Sequence, residues 1–229
     1  MSAIASTPAS TPLSPTARTR LHRHSDRALT DRAALFDVLA AAVVCHLGVV
    51  VNGTPLVLPT AYGVDPTGPD AAGTLYLHGS VASRSLLAAP EQDVCVTVTV
   101  VDGLVLARSA FHHSMNYRSA VVVGRPRVVT DPDEVRRALD LVVDHVVPGR
   151  AATLRPHTRK ELAATRVLAL PLHEASVKTR VGEPVDEEED VRAGGWAGVV
   201  PLRVTRAAPV TATDAEGHPV PRDVRALHG

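Results

Sequence analysis

The 229-residue sequence is poor in aromatics: one Trp, two Phe and three Tyr, 3% in all. A core must therefore be built from aliphatic side chains, and Trp196 and Tyr117 stand out as more than filler. Only two cysteines occur, Cys45 and Cys95, far apart and in no C-x-x-C pair. That excludes a disulfide scaffold, and both read as small buried hydrophobes. Net charge is also absent, because 24 Lys and Arg balance 24 Asp and Glu. Nucleic acids and anionic membranes need a basic field, so neither is expected as a partner. No apolar run reaches about 18 residues, so no membrane-spanning helix is expected. Residues 1–20 are rich in Ser, Thr, Pro and Ala without an apolar stretch. They are not expected to act as a signal peptide, and a cytoplasmic location is expected.

Several motifs are missing too. There is no G-x-G-x-x-G, no G-x-x-x-x-G-K, no H-E-x-x-H and no G-x-S-x-G. Dinucleotide binding on a Rossmann fold, P-loop hydrolysis, zincin chemistry and serine esterase chemistry lose their usual support. Eleven histidines invite a metal reading, but no spacing presents three ligands on one local face, so no metal site is expected.

What is present is aliphatic: 45% of residues are hydrophobic, with Val and Ala dominant. Valine runs favour strands, because β-branched side chains pack well on a pleated surface. Ala and Arg richness beside two lysines matches the composition of GC-rich bacterial coding sequences. The chain divides into a disordered leader (1–25), one domain (26–205) and an irregular tail (206–229). Thr30 is expected to cap a helix over 31–44, whose Leu35, Val38 and Leu39 share a face. Strands are expected over 46–51 and 55–64, joined by an Asn52-Gly53 hairpin turn in which both residues take positive φ. A strand over 74–78 leads to a helix over 80–88. A strand over 93–101 is expected to turn at Asp102-Gly103 and pair back through 104–109. A strand over 117–130 precedes a helix that starts near Asp131-Pro132. Strands over 166–172 and 196–204 close the series around an acidic loop at 183–190. Strands joined by hairpins outnumber helices, which favours an antiparallel barrel over a parallel sheet.

The segment Leu75-Tyr76-Leu77-His78-Gly79-Ser80-Val81-Ala82-Ser83-Arg84-Ser85 runs from a strand through a polar turn to a helix that opens with Ser-Arg. A helix N-terminus has unpaired N–H groups, Ser hydroxyls donate, and an arginine gives a planar two-pronged contact; together these suit a phosphate. With Asn52–Thr60, Asp102–Ser119, Glu174–Lys178 and Trp196–Leu202, the segment resembles the pyridoxamine 5'-phosphate oxidase-like, FMN-binding split-barrel superfamily. The branch it is most similar to is the flavin-nucleotide-binding, nitroimidazole-resistance group. The resemblance covers about 28–204.

The resemblance implies a mainly β fold, an antiparallel split barrel with peripheral helices, working as a homodimer on a small-molecule substrate. It implies FMN as cofactor, with haem or a deazaflavin as the alternative. Gly79, Ser80, Ser83 and Arg84 would hold the phosphate. Leu58, Pro59 and Thr60 would offer backbone groups to the flavin, and Lys178 and Trp196 would approach the ring. His78 would be the catalytic group, donating a proton or touching substrate. Arg108, His113, Asn116, Tyr117 and Arg118 would contact substrate, the arginines alternatively pairing with acids of the protein. The chain lacks the C-terminal Arg-x-His-x-Arg segment of true pyridoxamine 5'-phosphate oxidases and continues instead through Val204-Thr205-Arg206-Ala207. Vitamin B6 oxidation is therefore not expected. The leading function is a flavin-dependent oxidoreductase; the alternative is a flavin- or haem-binding carrier or sensor of the same fold, with His78, His112 and His113 the candidate haem ligands.

Overall fold

Valine alternation along the chain is laid out as two antiparallel sheets in the computed structural model, which describes residues 12–14 and 16–227. The elements run β1 (Ala28–Leu29), α1 (Arg32–Ala41), β2 (Cys45–Val51), β3 (Thr54–Thr60), β4 (Tyr62–Asp65), β5 (Thr74–Ser80), α2 (Arg84–Ala88) and β6 (Val94–Leu106). They continue with β7 (Ser114–Gly124), β8 (Arg127–Val128), α3 (Pro132–Val146), α4 (Arg159–Ala164), β9 (Thr165–Pro171), β10 (Ala175–Arg180), α5 (Glu188–Ala193), β11 (Gly198–Pro201) and α6 (Arg222–Arg225). The larger sheet has the order β1-β10-β7-β6-β2-β3, with β11 added to the end of β6; the smaller has the order β4-β5-β9-β8. The two sheets do not close on each other, so the architecture is the split barrel that the sequence implied.

The main core lies between the sheets and is aliphatic, as the shortage of aromatics required. Val96, Val98, Ala120, Val122, Ala175 and Val177 project into it from the larger sheet, and Leu75, Leu77, Leu168 and Leu170 from the smaller. Helix α1 covers the inner side of the larger sheet with Leu35, Val38 and Leu39. A second cluster, with Tyr76, Val167 and Ala169 against Ala138 and Leu139, seats α3 on the far side of the smaller sheet. There Gly63 brings strand and helix so close that a Cβ would stand 2.9 Å from the Val142 nitrogen.

Several boundaries differ from expectation for local reasons. Asp31, not Thr30, caps α1, accepting from the Ala33 N–H, and the helix stops at Ala41 before the β-branched pair Val43 and Val44. The Asn52-Gly53 turn forms as expected, with φ of 52° and 76°. The Asp102-Gly103 turn does not form. Strand β6 runs straight through these residues, with a bulge between Val101 and Gly103, and its second half pairs with β7 and β11. Gly103 is needed there because Val199 and the Val200 carbonyl approach within 3.1 and 3.2 Å of where its Cβ would be. The expected strand over 117–130 is split at Arg125-Pro126, since proline supplies no ladder donor. The strand β10 was not foreseen as an element, yet it is the inner neighbour of β7.

The leader is not wholly loose. Leu13 is buried in the main core, its N–H donates to Thr30, and the Ser14 N–H donates to the Ala175 carbonyl at 2.7 Å. Arg18 pairs with Asp93 and Glu174. Residues 1–11 lie outside the described residues. Among the described residues, no helix is long and apolar enough to cross a membrane.

Candidate functional site

Strand β3 is an edge: β2 satisfies one side of its backbone, and its other side has no strand partner among the described residues. Its residues Leu56 and Val57 are exposed, an unusual state for aliphatics in a paired strand. After Thr60 the chain crosses at Ala61 into the smaller sheet, where Tyr62 pairs with Leu77. One step further in that register, Ala61 stands across from His78. Beyond it the strands part, β3 staying on β2 and β5 on β9. The split of the barrel therefore has Leu58, Pro59 and Thr60 on one side and His78, Gly79 and Ser80 on the other. These six expected residues flank the crossover at Ala61.

The phosphate segment departs from the sequence reading. Ser80 is the last residue of β5, not the start of a helix, and α2 is a five-residue helix beginning at Arg84. So short a helix has little dipole to offer. The donors are instead those of the turn over 80–83 and the side chains around it. Ser80 Oγ accepts from the Ala82 N–H, and the Ser83 and Ser85 hydroxyls share a hydrogen bond of 3.0 Å. Arg84 is exposed and pairs with no acid among the described residues. Gly79 lets α2 close on β5, since a Cβ there would meet Leu86 Cδ1 at 2.7 Å.

His78 is half-buried in the row of Tyr76 and opposite Val167, on the side of the sheet that carries α3. Its Nδ1 is fully buried and has no hydrogen-bond partner. Burial pushes the imidazole below its ordinary pKa, so the ring is neutral near neutral pH. A second orphan, Arg166 Nε, lies on the neighbouring strand, across from Gly79. Sequence reasoning missed Arg166: a lone arginine at the start of a strand carries no signal of its own. Each orphaned buried donor or acceptor costs about 1–3 kcal/mol.

The expected substrate residues form a different group. Arg108 donates from its backbone N–H and its Nη1 to Asp186, both at 2.9 Å, and from Nε to the Gly195 carbonyl. Arg118 forks onto Asp102 through Nε and Nη2. Each arginine is thus held by an acid of its own chain. Asn116 is buried, donating to the Gly182 carbonyl and accepting from Arg180. Tyr117 is half-buried opposite Arg180, and His113 is exposed with its Nδ1 2.8 Å from the Ser109 carbonyl. His112 stands 3.6 Å from Glu187.

Lys178 and Trp196 do not meet within the chain. Lys178 lies opposite Ser119 and donates to the Arg23 carbonyl at 3.0 Å. Trp196 is 69% exposed, folds over Gly198 and adjoins the far end of β6. It is not a core residue. Among the described residues, no cluster of His, Cys, Asp or Glu is arranged to hold a metal ion.

Residues 31–179 match the pyridoxamine 5'-phosphate oxidase family. No curated protein matches the chain. Among solved structures, the flavocytochrome Anf3 from Azotobacter vinelandii is 36% identical, with a TM-score of 0.86, covering 95% of this chain and 99% of that one. An FAD and haem binding protein from Mycobacterium smegmatis is 42% identical, with a TM-score of 0.81, covering 89% and 98%. A 5-nitroimidazole antibiotic resistance protein, described as putative, from Bacteroides thetaiotaomicron shares the fold at 23% identity and a TM-score of 0.53, covering 66% and 85%.

Proposed function

The chain belongs to the pyridoxamine 5'-phosphate oxidase family, and from that premise we propose that it is a flavin-dependent oxidoreductase that also takes a haem. The observation that carries the flavin reading is the split itself. The free edge of β3, Leu58–Thr60, leads into the crossover at Ala61; the β5 residue next in that register is the half-buried His78, whose Nδ1 is orphaned among the described residues, and the turn after β5 carries Arg84, which pairs with no described acid. The residues present fit a flavin: main-chain groups for the polar ring edge, Leu56 and Leu58 for its face, and a cation for its phosphate.

A bound flavin supplies the electron transfer, and the protein supplies position and electrostatics. Arg84 and the turn over 80–83 hold the phosphate by charge-assisted hydrogen bonds. The edge of β3 orients the ring. His78, neutral in its buried setting, hydrogen-bonds to the bound molecule at the site. A haem alongside the flavin is favoured by two relatives: the 36%-identical flavocytochrome and the 42%-identical FAD and haem binding protein. The second of these, an FAD binder by name, favours FAD over FMN.

The protein works as a dimer in this reading. The outer face of the larger sheet is uncovered and smooth, made of Gly48, Val50, Thr97, Thr99, Ser119 and Val121. It continues into the free edge of β3, and the chain has no net charge to oppose self-association. A partner copy also offers a way to bring Lys178 or Trp196 to a site that its own chain does not reach. Reconstitution tests the cofactor choice. Apo-protein titrated separately with FMN, FAD and haemin is expected to take FAD and haemin stoichiometrically. Uptake of neither flavin would overturn the reading.

A further inference from the structure

Strand β1 pairs with β10 at Ala28 and Lys178, so Arg27 follows the ladder outward and reaches the end of β10 where Arg180 stands. Between them opens a cavity of about 680 Å³, mostly polar in its lining, with Asp26, Thr179, Glu183 and Val185 among its walls. Two guanidinium groups side by side repel one another and normally recruit a carboxylate. Here neither does. Arg180 donates only to neutral acceptors: Asn116 Oδ1 at 2.5 Å, the Gly182 carbonyl at 3.2 Å and the Glu183 carbonyl at 3.0 Å. Arg27 makes no side-chain hydrogen bond or ion pair with a described residue, and the Asp26 and Glu183 carboxylates pair with neither arginine. Burial first, and the Arg27 charge second, push the Arg180 guanidinium below its ordinary value.

We infer that the cavity between Arg27 and Arg180 is a binding site for the diphosphate group of a small ligand. Two guanidinium groups line it, and forked N–H pairs match phosphoryl oxygens. Arg180 is already oriented by three neutral acceptors, so its remaining N–H capacity is fixed in direction before a ligand arrives. An anion seated between the two groups removes their repulsion. The cavity exceeds the needs of a single phosphate, which leaves room for a second phosphoryl group and part of a nucleoside. The inference uses none of the residues of the split: within one chain these residues lie at the β1 end of the larger sheet and the split at its β3 end, with Lys178 the one flavin candidate beside them.

Inorganic pyrophosphate, titrated into the purified full-length protein in a calorimeter, is the direct test. Saturable one-site binding is expected, weakened at least tenfold in Arg27→Gln. Arg27→Lys keeps the charge and loses the fork, and is expected to fall between the two. Arg180 also holds the 182–183 loop, so its variant, Arg180→Lys, is accompanied by a thermal melt. Succinate, a dicarboxylate of similar span, is expected to bind more weakly than pyrophosphate. No binding of pyrophosphate, equal binding by Arg27→Gln, or tighter binding of succinate would overturn the assignment. The visible spectrum of Arg27→Gln is expected to match that of the parent, so failure here stays distinct from failure of the flavin reading.

Discussion

Arg118 on β7 lays its Nε and Nη2 against the two carboxylate oxygens of Asp102 at 2.9 and 2.8 Å, and Asp102 sits in the bulge that bends β6. The guanidinium holds the Asp102 carboxyl below its usual range. A carboxylate depressed in the folded state stabilises above its unfolded pKa, and that contribution is lost as pH falls through the folded value. Both groups are about one-third exposed, so the pair is worth only about 0.5–1 kcal/mol. Arg118→Ala is expected to lower urea stability by that amount at neutral pH, with the deficit vanishing in acid. Cofactor uptake should not change, because the arginine serves the bulge.

Burial gives His78 the opposite linkage. Its folded pKa lies below that of the unfolded chain, so the unfolded state binds the extra proton first. Stability from this group is full above the ordinary imidazole range and declines as pH falls through it. His78→Gln is expected to flatten that part of the stability profile. A proton-detected titration of the His78 ring in the apo-protein should show it charging only below the ordinary imidazole range.

The Gly63 contact with α3 is between backbones, so no rotamer change relieves it. Gly63→Ala is expected to cost about 1–3 kcal/mol as the helix is pushed from β4, measured by thermal denaturation. A loss well below that would mean that α3 rides more loosely on the smaller sheet.

Among the described residues, Arg84 has no ion-pair partner to lose. Arg84→Ala is expected to keep the parent melting temperature once stripped of cofactor, yet to bind flavin at least tenfold more weakly. Equal affinity would remove the phosphate assignment.

Much of this arrangement was legible in the residues. Asn52-Gly53 announced its hairpin because both positions need positive φ, and the order of segments from Asn52 to Leu202 announced a split barrel. Asp102-Gly103 carried the same local signal and misled, because there the pairing of β7 and β11 across β6 overrides the turn preference of two residues. The Ser80–Arg84 segment was found, but its helix shrank to one turn: Ser80 is drawn into the ladder opposite Thr165. The acids that hold Arg108 and Arg118 were invisible, since Asp186 lies 78 residues from Arg108 and no local pattern links them. The Arg27–Arg180 cavity was equally hidden, as it exists only once β1 pairs with β10.

The most direct test of the central claim is the visible absorption spectrum of the protein as purified, recorded before and after reduction. The account predicts the paired bands of an oxidised flavin that bleach on reduction, accompanied by a Soret band that shifts. A spectrum without flavin bands, unchanged in shape when FAD or FMN is added, would contradict it and leave only the fold.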